Sequence, residues 1–340
     1  MTYGIVIARE KVTMVDQKFL YLTQKNVIET GLSVMEVIDT IEKALIEHVE
    51  RRTEMPPKPG VHPLPDTFLH AMPAYVPNMQ SLGMKWISCF PDNYKYGLNQ
   101  TLGIIALNDI QTGMLYSVMD CAWITAQRTA AITAIAAKHM ARKESEVLGM
   151  IGAGVQCREN LVFLSNVMPH LKRVQVYDLR KEAVDKFIKD LSQHIKGEIV
   201  AVDSAQKAVA DCDIYVSATA VLSKPKPFVK NEWFKNGGVF YAPLEIDSAI
   251  EWQVIKRMDK FLTDDWKQTS YFGTIGCFPN GLPKLYAELG EVVNGKKPGR
   301  ENAKENIMII SVGMAIEDIT LGRKVYERAV EKGIGTQLDL

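Results

Sequence analysis

Met150-Ile-Gly-Ala-Gly-Val-Gln156, followed by Arg173-Val-Gln-Val-Tyr-Asp178, decides how this chain folds. The apolar run Val147–Ile151 reads as a buried parallel strand. Gly152 and Gly154 then permit a tight turn and close backbone approach, and Val155 and Gln156 open a segment with helical character that runs to Val167. Such a turn leaves free N–H groups and the positive helix end where a pyrophosphate can sit. Asp178 closes the next strand 24 residues after Gly154, where a carboxylate would hydrogen-bond an adenosine ribose. A β–α turn with no ligand would use the same glycines, but it would not need the acid. The pattern therefore predicts a site for NAD, with Asp178 repelling the extra phosphate of NADP and Arg180 and Lys181 partly offsetting that. Cys157 stands at the third glycine position, which governs only how closely helix and strand pack.

Outward from this motif the period persists. Strands are expected at 147–151, 173–178, 198–202, 212–218, 238–243 and 260–264, with helices such as Lys181 to His194 between them and a last helix from Asn306 to Asp318. That alternation is the signature of a Rossmann-type doubly wound parallel sheet. Upstream, residues 1 to about 55 read as short strands followed by a helix from Ser33 to Arg52. The proline-rich residues 56–80 predict irregular or edge structure. Strand-like runs follow at Gly83–Cys89, Gly103–Asn108 and Leu115–Met119, then a long Ala- and Thr-dense helix from Ile124 to Met140. The fold class is thus α/β, with the Rossmann unit (126–318) inserted into a smaller α+β substrate-binding and dimerisation unit (1–125 plus 319–340).

The 40 basic residues balance 40 acidic ones, which gives no electrostatic case for nucleic acid or a membrane surface. No stretch approaches a membrane span, and Met1–Glu10 lacks a basic region followed by an apolar one, so a cytoplasmic protein is expected. The five scattered cysteines form no C-x-x-C and the six histidines no H-x-x-x-H, which argues against a disulfide framework and a metal site.

Several spaced motifs together resemble the ornithine cyclodeaminase/μ-crystallin family. They are Gly83-Met-Lys85, Phe90-Pro91, Gly97-Leu98, Asp109-x-x-Thr112-Gly113, Asp120, Ile124 to Ala131, Ile151 to Gln156, Ser311 to Asp318 and Tyr326 to Gly335. The resemblance covers roughly residues 50–340. It implies an NAD-dependent enzyme of small amino or imino acids, a homodimer joined through the N-terminal sheet, and a set of site residues. Lys85 would contact substrate. Lys58 stands where relatives carry a carboxylate-gripping arginine. Thr219 would lie near the nicotinamide ribose.

Arg128 fits this chemistry independently, because its planar fork suits bidentate carboxylate or phosphate binding and it sits in an alanine-rich helix just before the nucleotide fold. The chain departs from the cyclodeaminases after the fifth strand. Their Gly-Asp-x-Pro-Gly-Lys segment is replaced by Pro243-Leu-Glu245-Ile-Asp247-Ser248, which puts ornithine in doubt as substrate. Glu245 is then expected at the crevice mouth as the acid/base, with Asp247 the alternative or an N-cap for the segment leading to Trp252. His62 and His70, in the proline-rich loop, read first as surface residues, with reach into the substrate pocket as the alternative. The expected activity is NAD(H)-dependent oxidoreduction at the C–N bond of a small amino or imino acid. A cyclodeaminase that recycles its NAD and a non-catalytic crystallin-like binder are the rivals.

Overall fold

The computed structural model describes residues 17–219, 224 and 226–340, so the short strands expected before residue 17 lie outside the described residues. Two sheets organise the chain. The first holds β1 (Lys18–Leu22), β2 (Gly60–Val61), β3 (Phe68–Val76), β4 (Ser81–Cys89), β5 (Thr101–Asn108) and β6 (Leu115–Asp120). The second holds β7 (Val147–Ile151), β8 (Arg173–Tyr177), β9 (Glu198–Ala201), β10 (Ile214–Ser217), β11 (Phe240–Pro243), β12 (Lys260–Thr263), β13 (Ala287–Glu288) and β14 (Ile307–Ile310). The last strand, β15 (Thr336–Asp339), returns to the first sheet, whose order is β15-β1-β6-β5-β4-β3-β2.

The second sheet runs β9-β8-β7-β10-β11-β14-β12-β13, and its strand pairs are parallel. Strand order reverses between β7 and β10, so the crevice at their C-terminal ends is the topological switch point where such sheets bind ligands. The helices are α1 (Gln24–Glu29), α2 (Val34–Val49), α3 (Ala122–Met140), α4 (Val155–Val167), α5 (Lys181–Leu191), α6 (Ala205–Val209), α7 (Trp252–Lys256), α8 (Trp266–Thr274), α9 (Leu289–Val293) and α10 (Ala315–Lys332). Ser33 caps α2 and exchanges hydrogen bonds with Glu36, the reciprocal box that fixes its start.

Two expectations are corrected. The helix read over 306–318 is instead the fully buried strand β14, a turn, and the start of α10. An apolar run as short as Ile307–Ile310 has no periodicity that separates strand from helix. A division at 125/126 and 318/319 therefore falls inside α3 and inside α10. The proline-rich segment also yields a nine-residue strand, β3, although it contains Pro73. The N–H groups of Ala71 and Tyr75 point away from β4, to Pro59 and Glu54. Pro73, between them, forfeits no bond to β4.

The long helix α3 packs on β5 of the first sheet and on β11 and β14 of the second. Ala126, Ala130, Ala131, Ala134, Ala136 and Ala137 are buried around it, which explains the small residues on several faces. The helix α10 covers β3, β4 and β5. Both helices thus lie where side chains from the two sheets can meet. No helix among the described residues is long and apolar enough to cross a membrane.

Candidate active site

At the nucleotide end, Gly152 adopts φ +106° and its N–H donates to Tyr177 O at 2.7 Å. A Cβ at Gly152 would lie 2.7 Å from Ala218 O, so both the backbone angle and the space demand glycine. Gly154 caps α4, and a Cβ there would meet nothing within 4 Å. No side chain caps α4, which leaves its first-turn N–H groups facing the opening beside Val155 and Gln156. Asp178 Oδ2 accepts from Ala153 N at 2.9 Å and Oδ1 from Arg180 N at 2.9 Å. The acid that would meet a ribose is thereby tied to the turn that would meet the pyrophosphate. An open turn, an uncapped helix and an acid at the second strand's end fit a dinucleotide.

A second feature is a buried ionic cluster. Lys85, on the face of β4 that α10 covers, is fully buried with Nζ 2.7 Å from Asp318 Oδ2. Arg128 of α3 holds Glu317 Oε2 at 3.2 Å through Nη1 and Asp318 Oδ1 at 3.3 Å through Nε. Lys58 donates to the carbonyl of Val312 and stands 5.2 Å over the Phe272 ring. Lys58, Lys85 and Arg128, which the sequence singled out, therefore converge from three separate elements.

Burial controls the protonation of these groups. It pulls the Lys58 ammonium down to about 8, with Asp264 opposing the shift and Arg128 and Lys85 adding to it. The Lys85 ammonium is lowered by burial as well, against the attraction of Asp318. Burial pushes Glu317 up to about 8, against Arg128 and with repulsion from Asp264 and Asp318, so at neutral pH it carries a proton. The side chains of Lys58, Lys85 and Arg128 thus gather around those of Asp264, Glu317 and Asp318.

Other assignments change. Glu245 is not at the crevice mouth: it is 1% exposed, with Ser217 Oγ donating to Oε1 at 2.6 Å and Thr219 N to Oε2 at 3.2 Å. Its described partners are those of a brace under the end of β10, and burial pushes its carboxyl up. Thr219 is thus held by Glu245, at the crevice end of β10. Asp247 caps no helix. Its carboxylate accepts from Phe278 N at 2.8 Å, and α7 starts from Glu251 with no side-chain cap. The reason is spatial, since the strained residue Phe278 (φ +54°) approaches from another loop. His70 is buried rather than on the surface, stacked on Phe68 with ring centroids 4.2 Å apart. Burial, then Lys58, His62 and Lys85, push its imidazole down to about 3, so it is neutral.

Asp264, Glu317 and Asp318 escaped the sequence reading. The available signal was the adjacent pair Glu317-Asp318 between apolar Ile316 and Ile319, charges at positions that a helix buries.

This fold has known counterparts. The profile of the ornithine cyclodeaminase/mu-crystallin family matches residues 18–333. The chain belongs to that family. An alanine dehydrogenase from Archaeoglobus fulgidus is 33% identical over 94% of this chain and 98% of its own. The structure of the Δ1-pyrroline-2-carboxylate reductase of Thermococcus litoralis, in complex with NADH and L-proline, superposes with a TM-score of 0.84 at 31% identity, covering 94% of this chain and 99% of that one. An archaeal alanine dehydrogenase dimer with bound NAD gives a TM-score of 0.83 at 30% identity over 95% and 100% of the two chains.

Proposed function

We propose that this chain is an NAD(H)-dependent oxidoreductase acting on the C–N bond of a small amino or imino acid. The carrying observation is the convergence of Lys58, Lys85 and Arg128 in a family member whose relatives include an alanine dehydrogenase and an imino-acid reductase. The turn at Gly152 and Gly154, the first turn of α4 at Val155 and Gln156, Asp178 and Thr219 would hold the cofactor. When bound, its nicotinamide gives or takes the hydride.

The protein's own groups do the rest. Arg128 and Lys58 grip the substrate carboxylate and orient the Cα. Lys85 Nζ, its proton loosened by burial, gives that proton to the substrate nitrogen in reduction or takes one in oxidation. Asp318 offsets the Lys85 charge throughout. The neutral ring of His70 lies near the same cations. The altered segment Pro243–Ser248 does not favour the cyclodeaminase reading.

The test is a screen of L-alanine, L-proline and L-ornithine with NAD, and of Δ1-pyrroline-2-carboxylate with NADH, read by NADH absorbance and by ammonia release. Net change in NADH is expected, with kcat/KM at least tenfold higher than with the phosphorylated cofactor because Asp178 repels a 2′-phosphate. Turnover without net NADH change would identify a cyclodeaminase, and tight binding without turnover a crystallin-like binder. Equal or better kcat/KM with NADPH would refute the cofactor choice.

The partner is a second copy of the chain. On the outer face of the first sheet, Trp86 pairs with Ile104 and Met84 with Ala106, next to exposed Tyr21, an apolar surface of a kind that monomers seldom present. Sedimentation should give a dimer for the wild type and a monomer for Trp86→Glu. A Trp86→Glu dimer of unchanged affinity would remove this face from consideration. We place the protein in the cytoplasm, supported by the free state of all five cysteines.

A further inference from the structure

Asp264 follows β12 and is fully buried, yet it forms no ion pair among the described residues. Its carboxylate instead gathers four donors. Oδ1 accepts from Thr263 Oγ1 at 3.1 Å, Asp265 N at 2.9 Å and Val312 N at 3.1 Å, and Oδ2 accepts from Gly313 N at 2.6 Å. Two of these donors belong to the turn between β14 and α10, where the chain leaves the Rossmann sheet. The same two residues touch the two carboxylate-gripping cations. The carbonyl of Val312 accepts from Lys58 Nζ. Gly313, at φ +77°, lies so close to Arg128 that a Cβ would sit 2.4 Å from Nη1. One buried acid thus fixes the backbone against which both cations rest.

We infer that Asp264 is the positioning residue of the carboxylate cradle, setting Lys58 and Arg128 through the Val312–Gly313 backbone. The inference rests on the proposed reading that these cations hold a substrate carboxylate. Asp264 also acts through charge. Lys58 is faced by Asp264 after β12, Arg128 of α3, Lys85 of β4 and Asp318 of α10, with His70 of β3 nearby, and Asp264 gives the largest of the attractions that keep its proton on. Lys58 must be charged to hold a carboxylate, so affinity is present below its pKa of about 8 and is lost as pH rises through it. Removing the Asp264 charge moves that loss to lower pH.

The test titrates pyrrole-2-carboxylate, a planar carboxylate shaped like a cyclic imino acid, into the NADH-saturated protein by calorimetry between pH 6 and pH 9.5. The wild type should show affinity falling away near pH 8. Asp264→Asn should weaken binding about tenfold at pH 7 and move the alkaline fall down by about one pH unit, with NADH affinity unchanged. Lys58→Arg, whose guanidinium does not titrate in this range, should keep only the smaller fall that Glu317 causes when it ionises beside Arg128, and adding Asp264→Asn to it should weaken binding with a smaller pH shift than in the wild-type background. An unmoved fall in Asp264→Asn, or the same shift in the Lys58→Arg background, would overturn the inference, as would a wild type that does not bind the probe. Should Asp264→Asn fail to bind NADH, Asp264→Glu decides. It keeps the charge and displaces the carboxylate, so weaker binding with an unmoved fall supports the role and unchanged binding rejects it. A wild type that binds the probe but turns over no screened substrate would sink the oxidoreductase reading alone.

Discussion

Arg128→Lys should lower kcat/KM by roughly thirtyfold to a thousandfold, about 2–4 kcal/mol of transition-state stabilisation, while the fold and NADH binding persist. Lysine keeps the charge. It cannot reproduce a planar fork that reaches Glu317 through Nη1 and Asp318 through Nε from a largely buried position. Nor would a flexible ammonium fill the space that Gly313 leaves against the guanidinium. The substrate carboxylate would then meet one misplaced point contact. Steady-state kinetics with NADH titration as the folding control provide the check, and near-native kcat/KM would make Arg128 peripheral to the reaction.

Asp318→Asn should be the most destabilising single change at the site. It strips Lys85, fully buried, of a carboxylate 2.7 Å away, and removing one partner of a buried pair costs about 3–5 kcal/mol. The effect carries a pH signature. Burial already lowers the Lys85 ammonium, and loss of Asp318 lowers it further. Between that folded value and the ordinary lysine value the unfolded chain binds more protons, so stability rises with pH there. The Tm of Asp318→Asn should therefore fall several degrees below wild type at pH 6.5 and recover as the pH is raised towards 9. A Tm deficit that does not shrink with pH would mean that Lys85 is not the group left exposed to the penalty. Turnover should be lost throughout, because neither protonation state of an unpaired Lys85 reproduces the paired one.

The nucleotide half was legible because its logic is local. Gly152, Gly154 and Asp178 do their work within one strand–turn–helix–strand unit, and the strands around them are short apolar runs bounded by turns. Lys58, Lys85 and Arg128 were legible by residue type and motif, and the chain brings them together. Glu245 was misread because its position after a parallel strand looked like a crevice position. Only the packing of Ser217 and Thr219 over it shows that its carboxylate is sealed beneath the strand end. Asp247 failed for a similar reason, since its partner Phe278 is 31 residues away. His70 looked like a loop histidine because seven prolines between residues 56 and 80 hid a strand whose lost N–H faces away from its neighbour.

By itself the sequence determined the class of fold, the dinucleotide turn and the cationic character of the site, since each follows from chain-local spacing and residue chemistry. The tertiary structure alone decided which acids attend those cations. Asp264, Glu317 and Asp318 lie more than 130 residues from Arg128 along the chain, yet ion pairs and hydrogen bonds join them across α3, α10 and the β14–α10 turn. The protonation of Glu317 and Lys58 was equally beyond the sequence. A carboxyl pushed to about 8 and an ammonium pulled to about 8 reflect the water excluded when two sheets close on two helices, and burial of that kind is a property of the packed molecule.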